Sequence, residues 1–90
     1  MDVGTKDEAL IGQYVEMEPR CPSPAEARLR DSGVPIWAVV GHYLAVDRDL
    51  HAVAHDYDIS FDEVAAAVAY YRQHRQVIDA RLAENSAAVS

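Results

Sequence analysis

The sequence has a single cysteine and no long apolar run among its 90 residues. Cys21 has no second cysteine in the chain to bond with, which excludes an internal disulfide. No stretch approaches the roughly 20 apolar residues of a membrane-spanning helix. The polar residues after Met1 also lack the apolar segment of a secretion signal. These absences predict a soluble cytoplasmic protein with no membrane partner.

Basic residues are scarce as well. The chain has 8 Lys and Arg against 15 Asp and Glu, which gives a formal net charge of −7 at pH 7. Neutralising a nucleic-acid backbone requires clustered Lys and Arg. The composition therefore excludes a general phosphate-binding surface, and any contact with DNA has to be local.

Recognisable catalytic and metal-binding motifs are missing too. The carboxylates are scattered, and no Ser/His/Asp or Cys/His set has a local motif, so we expect neither an enzyme nor a cofactor. His51 and His55 are four residues apart, a spacing that can hold a metal on one helix face, with Asp47, Asp58 or Asp62 assisting. Nothing supplies the rest of a ligand set, and a solvated polar face is the favoured interpretation.

What the sequence does contain is a series of folding signals. Half of the residues are hydrophobic, a fraction that suits one small globular domain. We expect a flexible N-terminus over residues 1–10, the domain over residues 11–84 and a flexible tail over residues 85–90. The predicted fold class is mainly α: a small winged-helix-like helix-turn-helix domain with a short N-terminal β-hairpin and a long C-terminal helix.

Two alternating segments predict the hairpin. In "IGQYVEMEP" (residues 11–19), Glu16 and Glu18 lie on one face, opposite the apolar Val and Met. In "EARLR" (residues 26–30), Arg28 and Arg30 lie opposite Ala and Leu in the same way. Antiparallel pairing of the two strands would place these glutamates beside these arginines, a stabilising arrangement of opposite charges.

Three helices should follow the hairpin. A proline in the first turn predicts a helix over residues 35–46. Asp49 is a suitable N-cap for a second helix, Asp58 tolerates a left-handed turn after it, and Ser60 with Glu63 forms a capping box for the third. The apolar and small residues on both sides of this turn follow the helix-turn-helix pattern; they are Leu50, Val53, Ala54, Tyr57, Ile59, Val64 and Ala67.

The third helix meets no breaker until about Asn85. A helix of that length exceeds what a small domain needs for its own core, so we expect its distal half to project. Val77, Ile78, Arg81 and Leu82 would then need a partner to cover them. Two alternatives remain open: the distal half folds back over the hairpin, or the long helices of two copies pair in a homodimer.

The predicted recognition helix lacks the residues that read DNA bases. Its outward positions carry no Arg, Lys, Asn or Gln, and six acidic residues against Arg48 alone give residues 45–66 a charge of −5. A dimeric DNA-binding regulator is the alternative function, in which Arg28, Arg30, Arg72 and Arg75 contact operator phosphates.

Three segments in order resemble the small bacterial proteins grouped as domain-of-unknown-function family 433. They read "GVPIWAVV" (33–40), "VAHDYDIS" (53–60) and "EVAAAVAYYRQHR" (63–75) within the 55 residues from Arg28 to Leu82. The chain departs from the family where Asp31, Ser32 and Gly33 replace a common Gly-Thr-Arg. The resemblance implies the winged-helix-like fold and an antitoxin-like partner of a PIN-like nuclease toxin, whose complex represses its own operon. Because complementary charge favours a basic partner, a non-catalytic antitoxin-like protein is the leading prediction.

Overall fold

Five helices and a two-stranded antiparallel sheet make up the part of the chain that the computed structural model describes, residues 3–17, 20 and 23–89. The mainly helical class is confirmed, whereas the winged-helix assignment stays a prediction. No helix in these residues has the length and apolar content to cross a membrane. The elements are α1 (Val3–Tyr14), β1 (Val15–Glu16), β2 (Arg28–Leu29), α2 (Ile36–Ala45), α3 (Leu50–Tyr57), α4 (Phe61–Gln73) and α5 (Arg75–Val89), with a 3₁₀ turn at Pro24–Glu26 before β2.

The predicted hairpin is present, although it is short. Val15 pairs with Leu29 and Glu16 with Arg28. The Arg28 Nε atom lies 3.1 Å from Glu16 Oε2, and Arg30 Nη1 lies 3.8 Å from Glu16 Oε1. The predicted pairing of Glu16 with both arginines is therefore confirmed, while Glu18 lies outside the described residues.

The N-terminal segment is a helix, whereas the sequence predicted a flexible segment over residues 1–10 followed by a strand. That prediction is wrong for residues 3–14, which form α1. Asp7 is only 9% exposed, and its Oδ1 lies 3.2 Å from Arg72 Nη2 on α4. Leu10, Ile11 and Tyr14 pack against the core. Contacts with α4 therefore order this segment, and the predicted strand is reduced to Val15–Glu16.

The turn chemistry around α3 matches the prediction closely. The Asp49 carboxylate accepts the N–H groups of His51 and Ala52, each at 3.1 Å, at the start of α3. Asp58 ends α3 in the left-handed conformation with φ 55° and ψ 47°. The Ser60 hydroxyl accepts the Glu63 N–H, and Glu63 in return accepts the Ser60 N–H, which completes the capping box. The helical hairpin α3–α4 is confirmed.

Helix α4 lies at the centre of the fold, in contact with α1, α2 and α3. Most of its length is enclosed, because residues 63, 64 and 66–71 are all buried. Its small alanines permit the close approach of the neighbouring helices. The core that surrounds α4 includes Leu29, Ile36, Val39, Val40, Val53 and Ile78, all with fully buried side chains.

The predicted long third helix is divided at His74, whose φ of −129° and ψ of 39° are not helical. Beyond this bend α5 contacts α2 and the 3₁₀ turn. Gly41 permits this approach, because a Cβ atom there would lie 3.1 Å from Leu82 Cδ2. The Cα radius of gyration is 12.4 Å, close to the roughly 12 Å expected for a compact chain of this length. The predicted projection is wrong, and the folded-back alternative is confirmed.

The last residues also differ from the prediction. Helix α5 continues to Val89, whereas a flexible tail was expected from residue 85. Asn85 does not break the helix, since an asparagine costs a helix interior only a fraction of what a proline does.

Candidate functional site

The four residues predicted to bind a protein partner are mostly occupied within the fold. Ile78 is completely buried in the core, and Leu82 packs against it from the edge. The Arg81 guanidinium lies 4.3 Å above the centre of the Trp37 ring, and its Nε is 3.0 Å from Glu26 Oε2. Val77, at 37% exposed, is the one clearly on the surface. The expected apolar contact surface is therefore corrected: α2 and the 3₁₀ turn cover most of it.

The four arginines predicted to contact DNA have internal partners. Arg28 and Arg30 bind Glu16, and Arg30 Nη2 also donates to the carbonyl oxygen of Val15 at 3.0 Å. Arg72 binds Asp7 through both Nε and Nη2. Arg75 lies over the Tyr71 ring, 5.4 Å from its centre. Phosphate contacts by the first three would compete with existing ion pairs.

The second helix of the helix-turn-helix pair is poorly placed to enter a DNA groove. It is α4, whose first turn exposes Phe61 and Asp62 while the following residues are buried. Helix α1 covers part of its remaining length. A recognition helix reads bases with exposed side chains near its N-terminus. Here those positions present an aromatic ring and a carboxylate.

The turn between α3 and α4 instead exposes three acidic residues and an aromatic ring. We call the exposed residues Asp56, Asp58, Phe61 and Asp62 the α3–α4 turn surface. Phe61 is 42% exposed, and its ring centre lies 4.7 Å from that of His51. Three exposed carboxylates thus lie within seven residues of sequence that also contain a large, partly exposed apolar side chain.

Two histidines hold Asp56 at the edge of this surface. His42 Nε2 lies 2.7 Å from Asp56 Oδ2 and His55 Nδ1 lies 3.4 Å from Oδ1. The hydrogen bonds with His42 and then His55 lower the pKa of Asp56 below its ordinary value of 3.8. The contact joins α2 to the end of α3.

A metal site at His51 and His55 finds no support in the geometry. His51 lies against Phe61, and His55 is turned toward Asp56. Across the described residues, no group of three or more His, Cys, Asp or Glu side chains is arranged to hold a metal ion.

A basic cleft that the sequence did not predict lies between α2, α4 and the start of α5. This arginine cleft has a volume of about 140 Å³. Its lining residues are Tyr43, Leu44, Arg48, Val68, Tyr71, Arg72 and Arg75. Arg72 and Arg75 were predicted as cations of the distal helix, but Arg48 was seen only as a minor charge in an acidic segment. No local signal unites residues 48, 72 and 75, because folding brings them together.

A tyrosine that lines this cleft is held by a carboxylate. The Tyr71 hydroxyl donates to Asp79 Oδ1 at 2.7 Å. This hydrogen bond, with burial and the carboxylate charge, raises the pKa of Tyr71 above its ordinary value of 10.0, while Arg75 and Arg48 oppose the shift.

Comparison of the sequence with models of known protein families, with curated proteins and with solved structures finds no significant match. The resemblance to family 433 therefore stays a prediction, carried by the three segments quoted above. The class that the fold itself defines is a small helical protein with a two-stranded sheet.

Proposed function

We propose that this chain is a non-catalytic, antitoxin-like protein that neutralises a PIN-like nuclease toxin by covering a basic surface of the toxin with the α3–α4 turn surface. The class of partner comes from the resemblance to family 433. The exposed Phe61 among three carboxylates is the observation that carries the choice of surface.

The charge distribution supports a basic protein partner. The net charge is −7, and Arg28, Arg30, Arg72 and Arg81 are held in ion pairs with carboxylates of the same chain. A nuclease that binds RNA phosphates needs a positively charged surface. Attraction between that surface and the acidic turn would raise the association rate and disfavour acidic competitors.

Phe61 provides the apolar part of such a contact. Binding energy in protein interfaces concentrates in a few residues that become fully desolvated, with polar residues around them that exclude water. A partly exposed ring with acidic residues close to it in the sequence suits such a contact. The proposed contact therefore moves from the distal helix, where Ile78 and Arg81 are occupied, to the turn between α3 and α4.

The test is co-expression with the product of the adjacent gene, followed by co-purification and an RNA-cleavage assay of the partner. We expect a stable complex without nuclease activity. Phe61→Ala should raise Kd at least about tenfold, as expected when about 1.4 kcal/mol of interface energy is lost. The double variant Asp58→Asn, Asp62→Asn should mainly slow association and reduce its salt dependence.

Val77→Ala is the matched control, because Val77 is exposed to a similar degree but lies on α5. It should leave Kd within about twofold, as a small change away from the interface core does. If Val77→Ala abolished binding and Phe61→Ala left it unchanged, the contact would lie on α5. That result would refute the proposed contact through the α3–α4 turn surface. Failure of the two proteins to co-purify would overturn the antitoxin role itself.

The alternative function is a dimeric regulator that binds DNA in a winged-helix manner. It would require the hairpin residues Arg28 and Arg30 to leave Glu16 and Gly12, whose carbonyl Arg30 also contacts. We expect the purified protein to leave the mobility of its own promoter DNA unchanged even at low salt. A salt-dependent shift would favour the regulator.

A further inference from the structure

The arginine cleft concentrates positive charge in an acidic chain. Three of its 8 basic residues, Arg48, Arg72 and Arg75, line one cavity of about 140 Å³. They come from three different segments: the turn after α2, the last turn of α4 and the first turn of α5. Bringing like charges together costs free energy unless a counter-charge is present.

Only one of the three is neutralised within the described residues. Arg72 pairs with Asp7. Arg75 lies over the Tyr71 ring, and no ion pair involves either Arg75 or Arg48 in the part of the chain that the structure describes. Arg48 and Arg75 therefore line the cleft without a carboxylate of the described residues at ion-pair distance, although the Asp79 carboxylate lies beside Tyr71, which lines the same cleft.

The backbone places Arg48 at this position despite a conformational cost. Asp47 and Arg48 both have φ of 62°, in the left-handed region. Residues that have a Cβ atom rarely adopt this backbone conformation, and two of them in succession do so more rarely still. The Arg48 N–H donates to the Tyr43 carbonyl oxygen at 2.8 Å, which fixes the turn. Strained backbone of this kind is often kept where a side chain has a function.

We propose that the arginine cleft binds a small oxyanion of the phosphate class, held by Arg48 and Arg75 with Arg72 alongside. Guanidinium groups bind phosphate oxygens through two parallel hydrogen bonds, which suits a site of this size. Arginines that converge on a concave site fit a compact anion better than the extended backbone of a duplex.

The anion has two sources, free phosphate or a phosphate ester. An apolar cleft of about 300 Å³ adjoins the arginine cleft, and Val68 and Arg72 line both. Leu10, Leu50 and Ala65 also line it, together with the charged Lys6 and Asp7. An ester could place its phosphate among the arginines and its apolar part over Val68. This site is independent of the proposed antitoxin function.

The experiment is a titration of the full chain with inorganic phosphate and with phenyl phosphate, followed by amide chemical shifts and compared with chloride at equal ionic strength. We expect saturable shifts at residues 43–49 and 71–76. Tighter binding of phenyl phosphate identifies an ester site, and equal binding identifies free phosphate. The same shifts with chloride, or none with either phosphate, would overturn the proposal.

Three variants separate a ligand site from general charge. Arg48→Gln and Arg75→Gln should each weaken phosphate binding at least about tenfold, the effect of losing one charge-assisted pair. Arg28→Gln removes the same charge from the hairpin and should leave Kd within about twofold. If all three variants weakened phosphate binding equally, the effect would be one of long-range charge, and the proposed site would be refuted.

Arg48→Gly distinguishes binding from stability. Glycine adopts positive φ without steric cost. This variant should therefore have a melting temperature no lower than that of the parent chain and yet lose phosphate binding. A lower melting temperature with an unchanged phosphate affinity would show that Arg48 only completes the end of α2, and would refute its role in the cleft.

Discussion

The substitution Ile78→Ala tests whether α5 folds back onto the domain. If the helix projected, Ile78 would be an exposed side chain, and its truncation would leave the free energy of unfolding nearly unchanged. In the structure Ile78 is completely buried. Truncation of an isoleucine in such a place removes buried methyl groups and leaves a cavity, at a cost of about 2–5 kcal/mol.

This loss is large for a chain of 90 residues, whose total stability is roughly 5–13 kcal/mol at about 0.05–0.15 kcal/mol per residue. We expect Ile78→Ala to lower the free energy of unfolding by about 3 kcal/mol, because the site lies one turn into α5, where the surroundings can relax in part. At about 4–8 °C for each kcal/mol in a domain of this size, the melting temperature should fall by roughly 12–24 °C.

Val77→Ala is the control for this experiment, one residue away on the same helix and 37% exposed. Val and Ile have similar helix propensities, both below that of Ala, so the gain in propensity is nearly equal in the two variants. Thermal and urea unfolding followed by circular dichroism would measure both. An ordinary surface substitution changes the free energy of unfolding by about 0.5 kcal/mol. If the losses caused by Ile78→Ala and Val77→Ala differ by no more than that, α5 is not packed against the core.

Two further predictions concern the α3–α4 hairpin. Ser60→Ala removes the acceptor for the Glu63 N–H and should cost about 1 kcal/mol in urea unfolding; an unchanged midpoint would argue against the capping box. Asp56→Asn tests the hydrogen bonds that lower the pKa of Asp56. A lowered folded pKa stabilises the fold above the unfolded value and loses that contribution as the pH falls. The difference in melting temperature between parent and variant should shrink below pH 3.8; a constant difference would contradict it.

The sequence predicted those parts of the fold in which a side chain and the group it contacts lie close together along the chain. The capping and turn residues of α3 and α4 act within a few residues of themselves; they are Asp49, Asp58, Ser60 and Glu63. Their chemistry is the same in a peptide as in the folded domain, which is why the hairpin of α3 and α4 could be located. The pairing of Glu16 with Arg28 spans a longer separation, and strand alternation made it visible.

Helix α1 was missed because what orders it lies far away in sequence. Asp7 is 65 residues from its partner Arg72, and a weakly amphipathic polar segment has no strong propensity of its own. Most helical stability in proteins comes from tertiary packing. The buried face of α1 could be recognised only once α4 was in place to receive it.

The bend at His74 had the largest consequence for the candidate site. Sharp changes of direction in helices usually occur at proline or glycine, and neither stands near residue 74. What holds α5 in its new direction is distributed over three elements: Ile78 in the core, Leu82 against Gly41 and Arg81 between Trp37 and Glu26. Each residue alone was compatible with an exposed helix face. Together they cover most of the apolar surface that the sequence predicted for partner binding, whereas Phe61 stays 42% exposed.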